Sequence, residues 1–163
     1  MKRFLACIAV LLALLLFAGC AKEAGHGAPI TVSLEIRCDA LLEHMDELKA
    51  EKRSLVPESG VLLSTGPVTA YEGDTVFDLL RRELTARKLH FEYTDANLYK
   101  SIYIEGICNL YEFDCGPQSG WVYSVNGQFP NLGCSGYTLS DGDQVVFAYT
   151  RDLGKDVGGG DFS

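Results

Sequence analysis

The chain has 163 residues, with 14 basic and 22 acidic side chains, a net charge of −8 and six cysteines. That length fits about one domain, and 22% charged with 47% hydrophobic residues excludes wholesale disorder. The acidic balance excludes a nucleic-acid surface, which needs a basic footprint to displace counterions.

At the N-terminus, Lys2 and Arg3 precede an unbroken apolar run over residues 4–18. The run is shorter than the roughly 20 residues of a membrane span and suits a secretory signal. It stops at Phe17-Ala18-Gly19-Cys20, which resembles a bacterial lipobox with Phe17 where Leu is usual. The resemblance implies cleavage before Cys20 and a diacylglycerol on its sulfur. Residues 1–19 then form a signal peptide, and residues 20–29, with Gly25 and Gly27, a flexible tether. Loss of Lys2 and Arg3 takes the net charge to −10, on an exported chain held to the outer side of the cell membrane.

Residues 30–37 alternate apolar and polar, with Ile30, Val32, Leu34 and Ile36 on one side, and read as a half-buried strand. Asp39 is positioned to cap a helix over residues 40–53, with Leu41, Leu42, Met45 and Leu48 on one face. Pro57 and Gly60 end it. Residues 61–63 and 68–71 read as short strands around a turn at Gly66-Pro67. Glu72-Gly73-Asp74 turns into a second helix, capped by Thr75 or Asp74, with Asp78 in its first turn. Its stripe is Val76, Leu79, Leu80 and Leu84. Residues 90–94 and 101–107 read as strands. Residues 121–125 and 128–129 flank Asn126-Gly127, a strong hairpin signal. Residues 144–150 form a closing strand with Val145, Phe147 and Tyr149 on one side. The domain spans residues 30–156, and the glycine-rich tail 157–163 reads as frayed. This order predicts an α+β fold: a mixed sheet packed on one main helix, with a helical insertion after the first strand.

Three pieces carry a family resemblance. They are Glu72-Gly73-Asp74-Thr75-Val76, then Tyr103-Ile104-Glu105-Gly106-Ile107 continuing to Tyr111-Glu112-Phe113-Asp114-Cys115-Gly116, then Ser119-Gly120-Trp121-Val122-Tyr123-Ser124-Val125-Asn126-Gly127 closed by Ser140-Asp141-Gly142-Asp143. Together they resemble the transcobalamin-like C-terminal domain family, also labelled DUF4430. The resemblance implies a β-grasp-like fold with first and last strands side by side. In eukaryotic cobalamin carriers a similar domain covers one face of the corrin, so cobalamin or another corrinoid is the ligand the resemblance implies.

Once Cys7 leaves with the signal and Cys20 is lipidated, Cys38, Cys108, Cys115 and Cys134 remain, and an even number in an exported chain favours two disulfides. Cys115 and Cys134 bracket the Asn-Gly hairpin and are the favoured pair, closing a loop worth about 3 kcal/mol. That leaves Cys38 with Cys108. Zinc is the rival, but no Cys-x-x-Cys occurs and His26, His44 and His90 are scattered, so no metal is expected.

Nor does the sequence carry a nucleophile elbow, phosphate loop or His-Glu-x-x-His. Cys38 with His44 lacks an orienting acid, and the carboxylates of Glu105, Glu112, Asp114, Asp141 and Asp143 fit turn and strand-face roles. The aromatics lead further. Tyr99, Trp121, Tyr123, Phe129 and Tyr137, beside Asn126 and Gln128, are candidates to grip a flat, polar-rimmed ligand, against a plain core role for each. The sequence therefore predicts a lipid-anchored extracytoplasmic binding or interaction module without catalytic activity, taking a small molecule or a surface protein. The alternative is a corrinoid-binding lipoprotein that assists uptake.

Overall fold

The computed structural model describes residues 27–96 and 101–160. The signal peptide, the lipidation site Cys20, most of the tether and Tyr99 lie outside the described residues. Among those described, no helix is long and apolar enough to cross a membrane.

Two sheets and one helix share a core. Strand β1 (Pro29–Arg37) pairs antiparallel with β2 (Val61–Tyr71) and parallel with β7 (Gln144–Thr150), and β6 (Gly120–Val125) pairs antiparallel with β7. The order is β2-β1-β7-β6, with the first and last strands side by side as the resemblance implied. A second, three-stranded antiparallel sheet holds β3 (Phe91–Ala96), β4 (Ser101–Ile107) and β5 (Leu110–Tyr111). The expected mixed sheet on one main helix is present, with this second sheet beside it.

Helix α1 (Val76–Arg87) begins as its residues dictate. The Thr75 hydroxyl accepts from the Asp78 N–H at 3.2 Å, and the Asp78 carboxylate accepts from the Thr75 N–H at 3.0 Å, a reciprocal capping box. The next orphan donors, Val76 and Phe77 N–H, reach the carbonyls of Tyr137 and Cys134, each at 3.0 Å. Val76, Leu79, Leu80 and Leu84 are fully buried. They join one core with Val32, Leu34 and Ile36 of β1 and Val145, Phe147 and Tyr149 of β7. The alternation read in β1 therefore assigns its inward face correctly.

Three local readings are corrected. Residues 40–53 do not form an α-helix; two 3₁₀ turns, Asp39–Leu41 and Ala50–Leu55, replace it. Leu41 and Leu48 are buried as expected. However, the backbone bonds go elsewhere: Lys49 N–H donates to the Asp114 carbonyl at 3.0 Å, and Arg53 donates to the carbonyls of Leu48 and Asp46. Tertiary contacts override a helical pattern here. Next, the two short strands around Gly66-Pro67 are one strand, β2. One extra residue of β2 is absorbed at Thr65–Gly66 (φ 62° at Gly66), and the Thr65 hydroxyl accepts the Leu34 N–H at 3.1 Å. Finally, Asn126 (φ 52°) and Gly127 (φ 75°) make the expected tight turn, but the return arm bridges β6 only at Val125–Gln128 before departing.

The expected disulfides are not formed in this structure. Cys38, Cys108, Cys115 and Cys134 are all free thiols. The return arm carries Cys134 away to the start of α1, where its thiol lies 3.8 Å from the Ile102 carbonyl. Cys115 stays at the β5–β6 connection, its N–H held by the Ser119 hydroxyl at 3.0 Å. Cys38 ends β1, and Cys108 lies in the β4–β5 turn with a positive φ of 51°.

Candidate functional site

A cavity of about 520 Å³ opens beside the start of β6. Its floor is Ser119, Gly120, Trp121 and Val122, and its rim carries Tyr103 from β4, Phe113, and Leu153 beyond β7. The three rim side chains are exposed, at 46%, 54% and 55%. Large apolar side chains gathered at a concavity mark a binding surface rather than ordinary surface scatter.

Two of them are held out by unusual backbone. Phe113 has φ 63° and Leu153 φ 49°, both in the left-handed region that non-glycine residues occupy at a cost of about 1–2 kcal/mol. The surroundings impose it. Phe113 N–H donates to the Ser119 carbonyl at 3.0 Å. The neighbouring Asp114 carboxylate is buried and accepts from Tyr111 N–H at 2.8 Å and from Lys49 Nζ at 2.9 Å, with Lys52 at 3.6 Å. Burial works to raise the Asp114 pKa, but the bonds from Lys49 and Tyr111 and the Lys52 charge hold it below the usual carboxylate value. The Ser119 hydroxyl meanwhile donates to the Gly116 carbonyl at 2.9 Å and tightens the loop. On the other side, Leu153 N–H donates to the Gln118 carbonyl at 3.1 Å, and Gly154 N–H to the Thr150 hydroxyl at 2.8 Å. Tyr103 donates its hydroxyl to Glu112. Burial, then that bond, raises the Tyr103 pKa, so the phenol stays neutral. Backbone strain over-determined by its setting is a recurrent mark of ligand clamps.

Among the described residues that the sequence singles out as ligand candidates, Trp121 alone lines this groove. It is mostly buried: its indole N–H donates to the Leu110 carbonyl at 2.9 Å, and its ring meets Tyr149 edge-on at 5.3 Å. Tyr123 stacks on Phe147 at 5.8 Å, donates to the Leu132 carbonyl at 2.7 Å, and lines a neighbouring cavity of about 310 Å³ together with Trp121, Val122 and the Pro130–Gly133 segment. The Asn126 side chain serves the turn, donating to Asp143 at 2.8 Å and accepting from Gln144 N–H at 3.0 Å. Gln128 is exposed at the same turn, with its backbone bridged to Val125. Tyr137 is half-buried against the core. Phe129 lines a third cavity of about 440 Å³ with Arg37, Asp39 and Ser124. Among the described members of the expected aromatic cluster, Trp121 and Tyr123 share a cavity, whereas Phe129 lines another and Tyr137 packs on the core.

Tyr103, Phe113 and Leu153 are the residues that sequence reasoning missed as site residues. An apolar residue directly before Asp114-Cys115-Gly116 is the available clue for Phe113. Cys38, the other reactive candidate, is fully buried and pushed up to about 12 by that burial, then by the negative charge of Asp39 and by Cys108. That is opposite to thiol activation. Among the described residues, no group of three His, Cys, Asp or Glu could hold a metal ion.

Comparison with known sequences bears on this architecture. Residues 73–151 match the family model described as "Domain of unknown function (DUF4430)". The chain carries a DUF4430 domain. Its matched span runs from the turn before α1 to the residue after β7, so it contains β4, the Phe113 loop and β6. Among solved structures, haptocorrin in complex with Cbi matches with a TM-score of 0.58 at 14% identity, over 83% of this chain. The match covers 29% of the haptocorrin chain. The DUF4430 domain and its flanking strands thus share a fold with part of haptocorrin. A structure from Ruminococcus gnavus ATCC 29149, provisionally named for metal binding, matches at a TM-score of 0.40 and 14% identity, over 76% of this chain and 96% of its own. No curated protein matches the sequence.

Proposed function

We propose that this chain is a binding module without catalytic activity, displayed outside the cytoplasmic membrane on lipid attached to Cys20, and that it takes its ligand in the Tyr103–Phe113–Leu153 groove. The groove carries the reading. Its rim spends backbone strain to hold two apolar side chains in solvent, which a folded domain gains nothing from unless something covers them. The display rests on the charged start, the apolar run of residues 4–18 and the small residues before Cys20.

A corrinoid is the specific ligand we favour, because the shared fold is that of a protein crystallised with Cbi. A cavity of about 520 Å³ with an aromatic rim suits one edge of a flat macrocycle. Titrating the purified mature chain with cobinamide tests it. The expected result is a saturable absorbance change that Phe113→Ala weakens at least about tenfold, with thermal stability unchanged. No change at high micromolar cobinamide would remove the corrinoid. Growth in labelled fatty acid tests the anchor: a Cys20→Ala variant that still carried label would refute it.

A further inference from the structure

The outer face of the four-stranded sheet, opposite the core, carries a cavity of its own. Ile36 of β1 and Phe147 of β7 are fully buried in the core, so their neighbours Arg37, Val146 and Ala148 point outward. Arg37 pairs with Ala148, and Ser124 of β6 pairs with Val146, which puts all four on one face. They floor the cavity of about 440 Å³, and Phe129, Asp39 and Asp156 stand around it. That volume lies in the range of small-molecule sites. Because the floor comes from three adjacent paired strands, the sheet fixes its side chains. None of these residues lines the Tyr103–Phe113–Leu153 groove.

Ser124 marks the cavity as a place for a ligand. It is 6% exposed, and among the described residues its hydroxyl has no hydrogen-bond partner. The large majority of buried side-chain polar atoms have one. The other buried hydroxyls of this strand pair obey the rule: Ser119 donates to the Gly116 carbonyl and Thr150 to Asp156.

The charges around Ser124 are already matched. Arg37 Nε donates to one Asp39 oxygen at 2.6 Å, and Arg37 Nη2 to the other. Those bonds hold the Asp39 carboxyl below the usual carboxylate range. A third Arg37 nitrogen lies 3.8 Å from Glu35. Asp156 accepts from the Thr150 hydroxyl and, at 2.8 Å, from Arg151 N–H, with the Arg151 guanidinium 3.9 Å away. An anion would meet two carboxylates, and a cation would meet a guanidinium beside each of them. A bare metal ion would face the Phe129 ring and the apolar side chains of Val146 and Ala148 in place of oxygens. A neutral ring rich in hydroxyls suits every wall. Each carboxylate oxygen that takes one donor keeps a lone pair for a ligand hydroxyl, and Ser124 can donate or accept. The Phe129 ring and the apolar floor match the C–H face of such a ring.

We propose that this outer-face cavity is a saccharide-binding site, in which Ser124 and the Arg37–Asp39 pair bond the ring hydroxyls and Phe129 covers the apolar face. It is separate from the groove and stands whether or not the groove takes a corrinoid.

Amide NMR on the mature chain tests it with glucose, galactose, mannose, N-acetylglucosamine, maltose and cellobiose, each raised to tens of millimolar. Phosphate and putrescine serve as charged controls. At least one saccharide should shift the Ser124, Phe129 and Ala148 amides saturably and leave those of Phe113 and Leu153 unmoved. Its affinity should be the same at low and high salt, since no net charge is being paired. Ser124→Ala should weaken that saccharide about fivefold. The same variant should melt no lower than wild type, because it removes a hydroxyl that nothing in the fold bonds. If no saccharide moves these amides, the site is overturned. Shifts from phosphate or putrescine alone overturn the neutral ligand. A saccharide that moves Phe113 and Leu153 instead belongs to the groove, and undiminished binding in folded Ser124→Ala places the ligand elsewhere; either result overturns the assignment.

Discussion

The indole nitrogen of Trp121 donates to the carbonyl of Leu110 at 2.9 Å and so ties the edge strand of the four-stranded sheet to β5 of the other sheet. One side chain thus joins the two layers and also floors the groove. Its structural share dominates. Trp121→Ala should cost about 3–5 kcal/mol by cavity formation. Trp121→Phe, which leaves the Leu110 carbonyl without its donor, should cost about 1–2 kcal/mol. Urea unfolding of the two variants checks the ranking, and an alanine variant as stable as wild type would show that the sheets are held together elsewhere.

Phe113 is the opposite case: exposed, strained and cheap to lose. Glycine accepts its φ of 63° without a Cβ penalty. Phe113→Gly should therefore leave stability within about 1 kcal/mol of wild type, shifted in the stabilising direction. The same variant should lose ligand binding at the groove. Thermal melting with a parallel binding titration separates the effects, and a large loss of stability would mean that the ring packs on the domain rather than waiting for a ligand.

How far the sequence discloses all this follows from where the determining contacts lie. Helix α1 and strands β1 and β7 were legible because their caps and periodicities are local, from Thr75 with Asp78 to the alternation of Val145, Phe147 and Tyr149. Residues 40–53 misled because Leu41 and Leu48 satisfy a helical stripe while Lys49 and Lys52 answer to Asp114 in a distant loop. Strand β5 is two residues long, too short to leave a pattern. The groove was hidden for the same reason as the false helix. Phe113 is turned outward by a carboxylate whose lysine partner lies 65 positions away, and no window of sequence contains both.

The Asp114 carboxylate gives that dependence a pH signature. Its folded pKa is held below the ordinary value of about 3.9. A depressed carboxylate contributes stability that is fully present above the unfolded-state pKa and is lost as pH falls through the folded one. Wild-type stability should therefore drop below about pH 4. Asp114→Asn should cost about 1–2 kcal/mol near neutrality, with the gap to wild type narrowing in acid. Urea unfolding across that range measures it. A gap that stayed constant would assign the loss to packing of the loop instead of to charge.

The four free thiols make a separate and sharper prediction. Burial pushes Cys38 up to about 12 and Cys134 up to about 11, and raises Cys108 and Cys115. Thiolate, the reactive form, is then scarce near neutrality. Native protein should alkylate slowly, and Cys108 should react first because it alone of the four is only half-buried. After unfolding without reductant, all four should alkylate completely. Peptide mass spectrometry reads each site. A Cys115–Cys134 or Cys38–Cys108 pair that resists alkylation until reduced would overturn the free-thiol state. The consequence would differ between the two. Cys115–Cys134 would require the arm after Asn126-Gly127 to fold back toward the β5–β6 connection, which would pull the Cys134 carbonyl from the Phe77 N–H at the start of α1.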